Sequence, residues 1–246
     1  MELPTYIALS RLSAQQRALD VTASNLANAS TPGFKASRVL FTDWLSTQTG
    51  TDVPSGDRRV AFTQDRATYH DQQSGALQHT SNPLDLAIAG DGYFTVNTAR
   101  GPRLTRAGHF SPQANGTIGD MDGNALLDAA GQPLRISPND TDITVTPEGT
   151  ISTESGEVGR IGIVAPSDPN RLTAEGARDL RADVPTARVP QPKIIQGAVE
   201  DSNVQPITET TRMMNDLRSF QFTSQFVQAE SDRMQSAIDK ITQRKT

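Results

Sequence analysis

The chain has 246 residues, 28 acidic against 23 basic, a formal net charge of −5 and no cysteine. That length can bury a real core in one or two domains, the near-balanced charge argues against nucleic acid or an anionic membrane as partner, and the lack of cysteine excludes disulfides, thiolate zinc sites and a cysteine nucleophile. Hydrophobic residues make up 35% and aromatic residues 5%, below the ~45–50% apolar content of typical globular chains, so part of this chain is expected to fold only against a neighbour.

Met1-Glu2-Leu3-Pro4-Thr5 has neither the basic segment nor the apolar run of a cleavable signal, and no window approaches the ~18 apolar residues of a membrane span. From Thr5 to Leu26 the residues Leu9, Leu12, Leu19, Ala23 and Leu26 fall on one helical stripe. The subset Leu12, Leu19, Leu26 repeats every seven residues, the spacing of a coiled-coil seam. Ser30-Thr31-Pro32-Gly33 then favours a turn, and the proline moves Thr31 out of the helical region, so the helix is expected to end near Asn28.

Residues 31–75 hold Pro32, Gly33, Gly50, Pro54, Gly56 and Gly75 with scattered β-compatible pieces such as Arg59-Val60-Ala61-Phe62-Thr63 and no sustained period. They read as an extended arm. From about Leu77 to Gly197 the pattern becomes short strands. Leu84, Leu86 and Ile88 alternate with Asp85, Ala87 and Ala89; turn signals follow at Gly90-Asp91-Gly92, Asn115-Gly116, Asp122-Gly123, Glu148-Gly149 and Ser155-Gly156. An antiparallel all-β body is implied, with residues 166–193, rich in proline, arginine and aspartate, as an irregular excursion.

At the far end Met213, Phe220, Val227, Met234 and Ile241 are each seven residues apart. A second row, Thr210, Leu217, Ser224, Ser231 and Ile238, is apolar at only two positions, with Phe226 beside it. A helix over Ile207–Ile241 would be about 52 Å long, with Pro206 suited to its first turn. The fold expected is therefore α+β: terminal helices (1–30 and 205–246) forming a coiled-coil hairpin, an extended arm (31–75) and a central, mostly antiparallel β-rich body (76–204). The apolar stripes are too narrow to bury themselves alone, which points to a larger assembly.

No residue pattern calls for catalysis. Asp120-Met121-Asp122-Gly123-Asn124 starts like a calcium loop, but Ala125 and Gly131 stand where that loop needs its glycine and its glutamate, and a hairpin turn accounts for it. Gly90, Gly92 and Gly162 open no phosphate-binding helix and read as turn glycines. His70, His79 and His109 are scattered, without metal-ligand spacing, and read as surface or strand-face residues. No Gly-x-Ser-x-Gly elbow is present. No cofactor, metal or small-molecule substrate is expected.

Four blocks carry a specific wording: Thr22-Ala23-Ser24-Asn25-Leu26-Ala27-Asn28-Ala29-Ser30-Thr31-Pro32-Gly33-Phe34-Lys35; Asn82-Pro83-Leu84-Asp85-Leu86-Ala87-Ile88-Ala89-Gly90-Asp91-Gly92-Tyr93-Phe94; Leu104-Thr105-Arg106-Ala107-Gly108-His109-Phe110; and Gly197-Ala198-Val199-Glu200-Asp201-Ser202-Asn203-Val204. In this order they resemble the axial proteins of the bacterial flagellum, the rod and hook family. Wording, short arm and length are most similar to its proximal-rod branch, with the distal rod and hook as the alternative; a phage-tail or adhesin-like oligomer is a more distant one. The resemblance implies a structural, non-enzymatic subunit of the basal-body rod, exported through the flagellar type III apparatus without a cleaved signal, whose partners are other rod proteins and copies of itself. It implies that Leu12, Leu19 and Leu26 face Met213, Phe220, Val227, Met234 and Ile241 in the tube wall. It implies too that Asn25 and Asn28 tie their amides to nearby backbone, that Pro32 and Gly33 stop the helix and swing the arm outward, and that Phe34 anchors the arm. The family often has glutamate where this chain has Gln221.

Overall fold

A computed structural model of the chain describes residues 3–48, 58–137, 140 and 142–243. Its first element, α1 (Leu3–Ala27), ends ahead of Thr31 and Pro32, where the sequence places the stop. Two long strands follow, β1 (Ser37–Gln48) and β2 (Arg58–His70), paired with each other in a two-stranded sheet. Arg59-Val60-Ala61-Phe62-Thr63 thus lies in a strand, while Gly50, Pro54 and Gly56 lie outside the described residues. The last helix, α2 (Pro206–Gln243), opens on its proline. Among the described residues no helix is long and apolar enough to cross a membrane.

The chain divides into two compact units. One comprises residues 1–26, 37–68 and 206–246, which is to say α1, β1, nearly all of β2, and α2; the other comprises residues 27–36 and 69–205.

Within the first unit α1 and α2 lie side by side in antiparallel sense. Asn25, near the end of α1, reaches Glu209 in the first turns of α2, whereas Ile7 and Ala8 near the start of α1 share a groove with Phe222 and Phe226.

The second unit is built from short antiparallel strands. These include β3 (Leu77–His79), β4 (Leu86–Ile88), β5 (Tyr93–Thr98) and β6 (Gly101–Thr105). The largest sheet runs Leu172–Ala174, Asp179–Ala182, β6, β5, Ala125–Leu126, Ile118–Gly119 and Ser111–Pro112, with Ile163–Pro166 joining β5 to Thr186–Arg188. Strands Thr144–Val145, Thr150–Thr153 and Gly156–Arg160 form a second sheet, and two short pairs join Ile194–Gln196 to β4 and Ala198–Glu200 to β3. Apolar side chains of these strands meet in one core around Leu86, Phe94, Phe110, Ile118, Leu126, Ile151 and Ile163. Phe94 and Phe110 meet edge to face with centroids 5.3 Å apart.

The turns are where the sequence puts them, because only glycine takes up left-handed backbone freely. Gly116, Gly123, Gly149 and Gly156 all have positive φ. Two expectations change, and two further places are more deeply buried than their residue types suggest. Residues 166–193 are not irregular: they supply three strands, because Leu172 and Leu180 bury against Tyr93 and Leu104 while Arg181 pairs with Glu175 and Asp183. In 84–88 both faces are covered: Asp85 and Ala87 are buried as fully as Leu84, Leu86 and Ile88. Gly162 is not a turn glycine; an added Cβ would lie 2.4 Å from the Asp128 carbonyl oxygen, so glycine is there for a close backbone approach. His70, the last residue of β2, is a strand residue as one of the two readings had it, but a buried one, and burial pushes its imidazole below the usual range.

Candidate functional site: two motif junctions and the exposed helix faces

Asn25 is fully buried, an unusual place for a primary amide unless every polar atom is matched. Its Oδ1 accepts the Ser37 N–H at 2.8 Å and its Nδ2 donates to the Ser37 carbonyl at 2.9 Å, the same two bonds a neighbouring strand would supply. The amide therefore ties the end of α1 to the start of β1. Nδ2 also reaches Glu209 at 3.3 Å, and this buried carboxylate accepts from Arg38 at 2.7 Å and Arg212 at 2.8 Å. Asn28 works differently: its carbonyl and its side-chain oxygen accept from the N–H and hydroxyl of Thr31, closing the turn that follows the helix.

In the other unit Glu200 is the centre of a second junction. Its carboxylate receives Lys35 Nζ at 2.6 Å, Arg106 Nη1 at 3.1 Å and the Gly75 N–H at 3.0 Å, with all three charged side chains buried. Its carbonyl accepts the Gly33 N–H at 2.7 Å. Lys35 donates onward to the Gln73 carbonyl, and Arg106 donates to the carbonyls of Ile88 and Gly90 while lying 5.2 Å over the Tyr93 ring. Burial is the largest influence on Lys35 and lowers its affinity for a proton, and the Arg106 charge adds to this against the pull of Glu200. Asn203 completes the site by accepting the Ala36 N–H and donating to the carbonyls of Asp71 and Gln73.

Each of the four worded blocks thus sends a residue to one place: Lys35 from the first, the Ile88 and Gly90 carbonyls from the second, Arg106 from the third and Glu200 from the fourth. Gly33 is there because nothing larger fits. Its φ is +73° and an added Cβ would stand 2.2 Å from the Ala107 nitrogen. Phe34 buries against Ala36 and Val204, with Ala29 alongside, and Pro32 is half-buried in the turn before it.

The helices of the first unit bury little. The most buried residues of α1 are Ala8, Ala14, Thr22 and Asn25, small or polar, while Leu12, Leu19 and Leu26 are half-buried and Leu9 and Ala23 exposed. On α2 Met213, Phe220, Val227 and Met234 are half-buried; the Ile241 side chain lies outside the described residues. The second inward row is Glu209, Asp216, Thr223 and Glu230, displaced by one from Thr210, Leu217, Ser224, Ser231 and Ile238, which are exposed. Asp216 faces this side too, and burial raises its carboxyl above the usual range. Ile207, Met214, Leu217, Phe222, Phe226 and Ile238 are left exposed, Phe222 at 74%. Ile7, Ala8, Arg11, Arg218, Ser219, Phe222, Thr223 and Phe226 line a groove of about 730 Å³.

The candidate calcium segment is a turn whose donors are internal. Asp120 Oδ1 accepts the N–H groups of Asp122 and Asn124 and Oδ2 accepts the Asn124 amide. Asp128 repeats the device with Ala130 and Gln132. Among the described residues no cluster of His, Asp or Glu is arranged to hold a metal ion.

Residues 6–35 match the family described as flagella basal body rod protein, residues 87–153 the flagellar hook protein FlgE/F/G D1 domain, and residues 195–240 the flagellar basal body rod FlgEFG protein C-terminal. The chain is 34% identical to the flagellar basal-body rod protein FlgF of Mesorhizobium japonicum, over 98% of both chains. It is 32% identical to FlgF of Caulobacter vibrioides, again over 98% of both, and 30% identical to FlgG of Bacillus subtilis over 95% of this chain and 97% of that one. The chain belongs to the FlgF family of flagellar basal-body rod proteins.

The three FlgF-family segments divide the junctions among them: the first holds Asn25, Gly33 and Lys35, the second Arg106, the third Glu200, Asn203 and Glu209. Sequence reasoning had named Asn25, Gly33 and Phe34 but passed over Lys35, Arg106, Glu200, Asn203 and Glu209. A usable signal was present at Arg106, a lone charge among Leu104, Thr105, Ala107 and Gly108, because a charge in such a place needs a partner. Gln221 is exposed on α2.

Proposed function

We propose that this chain is a structural subunit of the bacterial flagellar basal-body rod, placed in its proximal part, with no catalytic role. The observation that carries the proposal is the contrast between the units. The β body has a closed apolar core, whereas α1 and α2 keep their seven-residue rows half-buried and leave six large apolar side chains of α2 exposed. A helix pair of this kind gains stability by docking on further helices. In this reading Leu12, Leu19, Leu26, Met213, Phe220, Val227, Met234 and Ile241 form a coiled-coil seam completed by neighbouring rod proteins and copies of this chain. Strands β1 and β2 act as an arm, Phe34 anchors it, and the chain is exported by the flagellar type III apparatus without a cleaved signal. The segments 1–30 with 205–246, 31–75 and 76–204 then serve as helical domain, arm and body.

The test is complementation of a strain lacking the gene. Phe220→Asp or Val227→Asp should abolish rod assembly and motility while the circular dichroism of the β body is retained. Normal rods from both variants would refute the proposal.

A further inference from the structure

The outer faces of α2 carry a pattern that the half-buried rows do not explain. Thr211, Arg218, Gln225, Asp232 and Asp239 are seven apart and all exposed, and this row changes from basic to acidic along the helix. Arg218, and Arg11 of α1 across the groove, make no ion pair among the described residues. Phe222 and Phe226 stand on one flank of the buried rows, 74% and 52% exposed. Ile238 stands on the opposite flank at 55% exposure. The flank of Phe222 and Phe226 thus borders the arginine end of this row, and the flank of Ile238 borders its aspartate end.

We propose that the groove of Arg11, Arg218, Phe222 and Phe226 receives the C-terminal end of α2 from a second copy of this chain, parallel and displaced along the helix axis by fourteen residues, about 21 Å. The proposal rests on the reading of the chain as an axial subunit and specifies how two copies meet. A single displacement satisfies both chemistries. It sets Asp232 of the second copy level with Arg218, and it sets Ile238 level with position 224, midway between Phe222 and Phe226, whose attachment points are about 6 Å apart along the axis. Parallel copies in register would instead bring Arg218 to Arg218 and Asp232 to Asp232, which like-charge repulsion disfavours. Because the copies are parallel and displaced along the axis, with the groove of one taking the C-terminal end of the next, the contact is head-to-tail, and repeating it extends an open helical array without closing a symmetric dimer.

The natural chain has no cysteine, which makes the test direct. Positions 218 and 232 of one helix are about 21 Å apart, whereas a disulfide needs Cα atoms within ~7 Å, so a full-length Arg218→Cys/Asp232→Cys variant can bridge only between copies. Mild oxidation of basal bodies from cells making this variant should give disulfide-linked multimers of the chain, and neither single variant should give any. Dimers from a single variant, a bridge to a different protein, or unlinked chains in assembled rods would overturn the proposed contact while leaving the rod function standing. Should the cysteine variant not assemble, charge exchange decides: Arg218→Asp should lose rod assembly and Arg218→Asp/Asp232→Arg should regain it. A double variant as defective as the single one would overturn the proposal.

Discussion

Glu200 illustrates how one side chain can hold distant parts of a chain in register. Two cations and a backbone N–H converge on its carboxylate in a buried site, and a buried ion pair is costly to break because removing one partner leaves an uncompensated charge. Glu200→Gln should destabilise the β body by about 3–5 kcal/mol, read as a lower midpoint in urea, whereas exchange of the exposed Glu157 should leave the midpoint unchanged. Gly33→Ala should cost at least ~1–3 kcal/mol from its left-handed backbone alone, since the Ala107 backbone blocks relief. His70 gives the body a pH dependence. Burial lowers its pKa in the folded chain, so the unfolded chain binds the extra proton first. Its contribution is fully present above the unfolded value of about 6.5 and is lost as pH falls below it. Stability of the body should therefore decline from pH 7 toward pH 5, and His70→Asn should flatten that decline.

For the single elements, legibility depended on where the determinants lie. The limits of α1 and α2 followed from Thr31, Pro32 and Pro206, and the hairpin turns from their glycines, because proline sterics and positive φ act within a few residues. The seven-residue row Met213, Phe220, Val227, Met234 was visible for the same reason. The second row was misplaced by one residue because apolar character was the guide, and the inward positions Glu209, Asp216, Thr223 and Glu230 are polar. Asn25, Arg38 and Arg212 satisfy Glu209, partners that no periodicity reveals. Residues 166–193 were misread likewise: Leu172–Ala174 and Asp179–Ala182 are short, and pairing with β6 gives them their structure.

The whole molecule combines a body that buries its own core with helices that do not. Hydrogen exchange should register this in the purified chain. Amides of α1 and α2 should exchange fast, close to the free-helix limit, while those of β4, β5 and Ile118–Gly119 should be protected to the level of global unfolding. Uniform protection throughout would contradict helices that gain their burial on assembly. The low apolar content of the chain fits the same picture, because the missing burial is on surfaces such as Phe222 and Ile207 that a lone subunit leaves open.

The sequence by itself determined the α+β plan, the helix limits, the turn positions and, through four worded blocks, the flagellar axial family. All of these are carried by residues close together in the chain or by their exact wording. The convergence of Lys35, Arg106 and Glu200, the strand-like bonding of Asn25 to Ser37, the burial of His70 and the polar character of the second helix row were decided only by the tertiary structure. These depend on partners far away in sequence, and a buried charge or amide is stable only where the folded chain brings its counterpart within hydrogen-bonding distance.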